Sequence, residues 1–353
     1  MLAAIGRIFS DDHRGVRGKV IGIYVFLGIT NIALWLAAIL AFHRYPLLLG
    51  TAFLAYSFGL RHAVDADHIA AIDNVTRKLM QQGKRPVGVG FFFSLGHSTI
   101  VFGLTAAVAA TAVAIKDRFE SIENFGNIAG TLISAFFLLA VAAMNILILV
   151  SVVQTFRRVK AGGIYDDEDL NLLLAKRGFL GRIFRGLFRF VDHSWQMYPI
   201  GVLFGLGFDT ATEVGLLGIS AAEASKGLAI WSIMVFPALF TAGMSLIDTT
   251  DGVLMLGAYG WAFARPMRKL YYNITITSVS VVVALLVGGI ETLGLLQGEL
   301  NLTGTFWDAI GALNNNFGAL GYLIISLFVA SWLISILLYR RNRYDEIEVK
   351  LAG

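Results

Sequence analysis

The sequence predicts an all-α, polytopic helical membrane protein of about eight transmembrane helices, with both termini in the cytoplasm. Three observations carry that prediction. Hydrophobic residues make up 57% of the 353 residues and charged residues only 15%, and the mean hydropathy is +0.72, more apolar surface than a water-soluble core could hide. Apolar runs long enough to cross a hydrocarbon core of ~30 Å recur from Lys19 to Tyr339. Lys and Arg concentrate in alternate connections, the pattern of segments retained on the cytoplasmic face.

The first run, 19–42, follows a tail carrying Arg7, Asp11, Asp12, Arg14 and Arg17. It is too long for a signal-peptide core and no clear cleavage site follows, so it reads as a retained first span. The remaining spans fall at 46–75, 86–115, 125–154, 197–220, 227–263, 272–297 and 317–339. Basic residues mark the 76–85 connection (Arg77, Lys78, Lys84, Arg85), the long 155–196 loop, the 264–270 loop (Arg265, Arg268, Lys269) and the tail (Arg340, Arg341, Arg343). Residues 1–353 thus read as one transmembrane domain with a long cytoplasmic loop at 155–196. That loop pairs an acidic patch, Asp166 to Asp169, with a stretch from Gly178 to Phe190 that sets Arg182, Arg185 and Arg189 on one helical face against Phe and Leu. An interfacial helix anchored on the inner leaflet is the expectation there. The net charge of +4 reports topology and not a nucleic-acid partner; the expected partners are the lipid bilayer and an ion. With no cysteine, any metal must be held by imidazole, carboxylate, amide, hydroxyl or thioether groups.

Ionisable groups at bilayer depth cost at least ~2.5–3.5 kcal/mol each, so each is a functional hypothesis until a partner is found. The second span carries His62, Asp65, Asp67, His68 and Asp73 within a few turns. At ~100° per residue His62, Asp65 and Asp73 share a face with His68 beside it, while Asp67 points more nearly away. A straight helix therefore cannot aim both His62 and Asp67 at one ion. Either the helix is unwound here or Asp67 supports other ligands without binding, and a solvated helix end is the bland alternative. The third span sets Ser94, His97 and Ser98 on one face. The fifth carries Asp209, Thr212 and Glu213, and the sixth Met244, Asp248 and Asp251, with Met244 more simply read as packing. Counting Arg61 as the sole intramembrane base leaves an excess of buried acids, which a cation, protons, or both in alternation would relieve. Imidazoles among the carboxylates favour Ni²⁺, Co²⁺, Zn²⁺ or Mn²⁺ over Ca²⁺ or Mg²⁺.

Four segments, Arg61 to His68, Phe93 to Thr99, Leu206 to Glu213 and Gly243 to Asp251, resemble the nickel/cobalt transporter (NiCoT) family in sequence and order. The resemblance covers essentially the whole chain. It implies a secondary permease that imports Ni²⁺ and/or Co²⁺ across the bacterial inner membrane, is no enzyme, and treats the metal as transported substrate with no resident cofactor. It carries the metal-site role onto His62, Asp67 and His68, with Asp65 in the same stretch. His97, Asp209, Glu213, Asp248 and Asp251 become transport-path residues, and Asn31 in the first span a candidate for metal selectivity. Imidazoles must be neutral to ligate, so capture should weaken as they protonate near pH ~6. A metal exporter of related architecture would use the same ligands but would favour a His-rich loop, whereas 155–196 holds only His193. A membrane metalloenzyme would need more histidines than these spans supply and a nucleophile and base that are not evident.

Overall fold

The computed structural model describes residues 10–12, 15–111, 116–165, 191–206, 211–262, 266–342, 344 and 350–351. It is a helical membrane protein: α1 (Val16–Phe42), α2 (Pro46–His62), α3 (Ala66–Gln81), α4 (Val89–Thr111), α5 (Lys116–Lys160), α6 (Met197–Phe204), α7 (Ala211–Ser225), the single turn α8 (Ile230–Ile233), α9 (Val235–Ala262), α10 (Pro266–Leu300), α11 (Thr305–Asn314) and α12 (Phe317–Arg341). Strand pairing among the described residues is confined to two short parallel segments, Ile164–Tyr165 against Lys350–Leu351, which join the start of the long loop to the C-terminal tail.

Each predicted apolar run is helical, but not every run is one helix. Among the described residues six helices are long and apolar enough to cross a membrane alone, and the pair α2–α3, bent by 52°, makes a seventh if taken as one broken span. The fifth predicted span, 197–220, is instead described as two short helices, α6 and α7, with α6 ending in a turn at Gly205 and Leu206. The second predicted span, 46–75, continues to Gln81, where Gly83 at φ 79° closes the helix. There the Gly83 amide bonds the Met80 carbonyl and the Lys84 amide the Leu79 carbonyl, the paired ending that a left-handed glycine permits.

The extension to Gln81 overturns one expectation. Arg77 and Lys78 are not loop charges but lie within α3, and Arg77 is 1% exposed. Its guanidinium donates to Thr277 Oγ1 on α10 and to Asn74 Oδ1, both at 3.0 Å, and Asn74 Oδ1 also accepts from Asn145 of α5. Arg61, expected to be the intramembrane base, is exposed. A charge at 77 is buried because Thr277 of α10 and Asn74 of its own helix accept its hydrogen bonds, and the contact across to α10 is one that no local pattern in α3 foretells. Asp73, one turn earlier, accepts from Tyr259 of α9 and from Ser280 of α10 at 2.7 Å.

α3 is buried along nearly its whole length and packs against α4, α5, α9, α10 and α12, whereas α1 and α12 turn most of their apolar side chains outward, as lipid-facing helices do. At one end of the bundle the Arg85 amide bonds the Asp11 carbonyl, Ser194 bonds the Asp11 carboxylate, and Tyr339 of α12 packs with Ile23 of α1 and Met80 of α3. Residues near both chain ends thus share one end of the bundle. The acidic patch and the expected interfacial helix at 178–190 lie outside the described residues.

Candidate metal centre

The centre forms where the second apolar run breaks. α2 ends at His62; the amides of Val64 and Asp65 close tight turns onto the carbonyls of Arg61 and His62 at 3.0 and 2.9 Å, and α3 restarts at Ala66. Asp65 takes the extended conformation of a residue preceding a helix (ψ 150°), as an Asp in that place readily does. It does not cap α3 with its side chain, however; its Oδ2 lies 3.0 Å from His62 Nδ1. The break removes the phase difference that a straight helix would impose. His62 and His68 face each other at 4.7 Å between ring centroids, and His97 of α4 completes a triangle at 4.9 Å from His62 and 5.0 Å from His68.

Each of these buried imidazoles meets a carboxylate. His62 has Asp65. His68 Nδ1 lies 3.2 and 3.3 Å from the two oxygens of Asp248 on α9, and the Ser94 hydroxyl of α4 donates to Asp248 Oδ2 at 2.5 Å. His97 Nε2 lies 2.8 Å from Glu213 Oε1, in the first turn of α7. Contacts at Nδ1 leave Nε2 of His62 and His68 as the nitrogens available inward, the arrangement in which a carboxylate fixes the tautomer of a ligating histidine. Among the described residues His68 Nε2 has no hydrogen-bond partner. One ligand atom from each histidine falls within 4.8 Å of the others.

A tighter set lies within this group. His62 Nε2, His97 Nε2 and Glu213 Oε1 stand 3.1, 2.8 and 3.7 Å apart. Ligand atoms held ~2.1 Å from one ion at angles between a right angle and the tetrahedral angle are about 3.0–3.4 Å apart; the 3.1 Å edge lies in that range and the 2.8 and 3.7 Å edges lie just outside it, so a small adjustment of the side chains would make the triangle one face of a coordination shell. Phe93 packs edge-on against His68 and Phe240 lies 5.5 Å from His62, both fully buried, so the walls are dry.

The remaining expected residues are distributed differently. Asp67, in the first turn of α3, is only half-buried and is not in the histidine group. Asp251 is half-buried one turn beyond Asp248, with one buried oxygen lacking a hydrogen bond. Asn31 donates to the Leu27 carbonyl of its own helix at 2.9 Å, away from the triangle. Asp209 lies outside the described residues. Sequence reasoning had no signal for Ser94 as the hydroxyl that holds Asp248, since that contact joins α4 to α9; it passed over Glu291, a buried carboxylate on α10 bonded by Ser134 at 2.8 Å, although an acid inside the 272–297 apolar run is the same signal that singled out the others.

The family model for NicO, the high-affinity nickel-transport protein, matches residues 48–338, which include every residue of the centre. The chain belongs to this family. It is therefore a multi-pass membrane transporter of metal ions and not an enzyme, and the metal is substrate. It is similar to the high-affinity nickel transport protein of Cupriavidus necator, at 60% identity over 95% of both chains. The nickel transporter NicT of Mycobacterium tuberculosis is 46% identical over 84% of this chain and 80% of its own. The cobalt transport protein NhlF of Rhodococcus rhodochrous is 40% identical over 93% of each. No solved structure matches the chain.

Proposed function

We propose that this family member imports Ni²⁺ and/or Co²⁺ across the bacterial inner membrane, and that the ion is captured on His62 Nε2, His97 Nε2 and Glu213 Oε1, with His68 Nε2 within reach. The observation that carries the reading is the size of that nitrogen–nitrogen–oxygen triangle, 3.1, 2.8 and 3.7 Å, on buried side chains from three helices. Nitrogen and oxygen ligands suit both Ni²⁺ and Co²⁺. Nickel and cobalt appear in the names of relatives with comparable coverage, which supports keeping both ions. Asp65 and Asp248 hold the imidazoles, Asp67 acts on the site electrostatically from the first turn of α3, and Asp251 continues the path one turn along α9. Asp209 belongs to the same path, and Asn31 bears on selectivity only through the packing of α1.

The bacterial relatives support the inner membrane as the location. Shared placement of residues near both chain ends requires an even number of crossings, which makes α6–α7 a broken eighth span beside the broken α2–α3. Lys84, Arg85, Arg158 and Lys160 lie in or beside the connections at that end, which supports its cytoplasmic placement. A broken span whose ends meet at a buried polar site is a recurring design for ion transport, because unwound backbone and freed side chains can move between two openings. The ion exchanges water for the triangle on the outer side and leaves along the acidic residues of α9, driven by membrane potential, proton exchange, or both.

The test is initial-rate uptake of radiolabelled nickel in right-side-out and everted vesicles with matched protein levels. Import predicts accumulation in right-side-out vesicles, abolished at low concentration by His62→Ala or His97→Ala. Accumulation confined to everted vesicles would reverse the direction, and undiminished uptake by both folded variants would remove the triangle as the capture site.

A further inference from the structure

The break between α2 and α3 determines whether His62 and His68 face each other, so what holds the break matters to the site. The turns at Ala63, Val64 and Asp65 satisfy their own amides on the carbonyls of Gly59, Arg61 and His62. The Val64 carbonyl instead faces α12. A Cβ built on Gly321 would stand 1.6 Å from Val64 O, 2.8 Å from Val64 C and 3.3 Å from Ile69 Cδ1. Only a Cα hydrogen fits there, giving the close backbone approach that small residues allow between membrane helices, with a Cα–H directed at a carbonyl. Leu320, Ile324 and Phe328, on the same face of α12, pack with Val64 in the break and with Ala66 and Ile69 in the first turn of α3. Most of the rest of α12 is turned outward, so this patch is a principal seat of the helix.

We propose that Gly321 is a positioning residue for the metal centre: as a glycine it lets the last helix close on the bend between α2 and α3 and fix the angle at which His62 and His68 converge. The obstacle a side chain would meet is backbone, not the movable end of a side chain. Val64 lies two residues after one imidazole and four before the other. Its carbonyl can retreat only by turning the peptide that sets the 52° bend, or by lifting α12 away and releasing the clamp. Both routes alter the geometry of the imidazoles without touching them.

The inference rests on the proposed capture site, and the experiment separates the two. Purified full-length protein in detergent is titrated with Ni²⁺ by calorimetry, and X-ray absorption of the loaded protein counts imidazole ligands. Gly321→Ala should weaken Ni²⁺ binding by about tenfold or more, the scale seen when groups that orient metal ligands are lost, and reduce the imidazole signature. Ile324→Ala, which loosens the same clamp without adding bulk, should move both readouts in the same direction. Gly289→Ala, whose added methyl meets open space, should leave both unchanged. A merely structural role would lower the yield of folded protein but leave the affinity and ligand count of the remainder intact. Wild-type affinity and ligand count in folded Gly321→Ala overturn the proposal; if that variant does not fold, the same result in Ile324→Ala does so. Unaltered binding in His68→Ala and His97→Ala would instead overturn the capture site itself.

Discussion

Replacing Asp248 by Asn tests the coupling between α9 and the imidazoles with almost no change in volume. Asp248 and His68 are both fully buried, and the carboxylate meets His68 Nδ1 at 3.2 and 3.3 Å while accepting from Ser94 at 2.5 Å. The carboxylate can only accept, so His68 carries its proton on Nδ1 and offers the Nε2 lone pair inward. In Asp248→Asn the amide oxygen is claimed by the Ser94 hydroxyl, which turns the NH₂ toward Nδ1. The imidazole proton then moves to Nε2, and the ligand lone pair is lost. A hydrogen bond to a charged group contributes about 1.5–3 kcal/mol, and each ~1.4 kcal/mol is a factor of ten in affinity, so nickel binding should weaken about 10- to 100-fold. The assay is the metal concentration for half-maximal initial uptake in vesicles, at protein levels matched by immunoblot. The expected result is a large rise in that concentration, with uptake recovered at high metal. An unchanged half-maximal concentration would refute the argument that Asp248 sets the tautomer of His68.

Four further outcomes follow from the structure. Glu213→Gln removes the anionic oxygen from the triangle while keeping its shape, and calorimetry with Ni²⁺ should show binding about tenfold weaker, as for loss of one charge-assisted contact; equal affinity would place Glu213 outside the ligand set. Gly90→Ala puts a Cβ 1.9 Å from the Asp248 carbonyl, where overpacking should cost about 1–3 kcal/mol and lower both the melting temperature and nickel capture. Gly252→Ala, with its nearest neighbour at 3.5 Å, should be tolerated in the same measurements. Arg77→Met removes the hydrogen bonds that Arg77 gives to Thr277 Oγ1 and Asn74 Oδ1, while Asn74 keeps the one from Asn145 and Asp73 those from Tyr259 and Ser280, so thermal unfolding should show a loss of about 1–3 kcal/mol, while the folded fraction binds nickel as before because Arg77 bonds none of the histidines. Altered nickel affinity in that variant would tie the Arg77 network to the site.

Much of the site is legible in the sequence because hydrophobic length is a local property and buried charge is conspicuous against it. His62, His68, His97, Glu213 and Asp248 stand out simply as ionisable residues within apolar runs, and the clash of helical phase between His62 and Asp67 can be read from a wheel. The sequence does not say how such a clash is resolved. The backbone could have stayed straight and left Asp67 as a distant support, or broken and swung His62 around. The choice fell to tertiary packing at Val64, where α12 seats on the bend, and to Asp65, which turned from capping α3 to holding His62.

The same division runs through the whole chain. Composition and the spacing of apolar runs determined that this is a helical membrane protein, and the type and placement of the polar residues pointed to a metal cation as the substrate, with nitrogen and oxygen as the ligands on offer. These are matters of how much apolar surface water will tolerate and what a buried carboxylate or imidazole requires. Only the tertiary structure decided that Arg77 is buried beside Asn74 and Asn145, that the run after Met197 is two short helices, and that His97 and Glu213 stand closer to His62 than Asp67 does to the histidine group. Each depends on distances between helices far apart in the chain, and a local periodicity carries no information about which face of another helix will meet it.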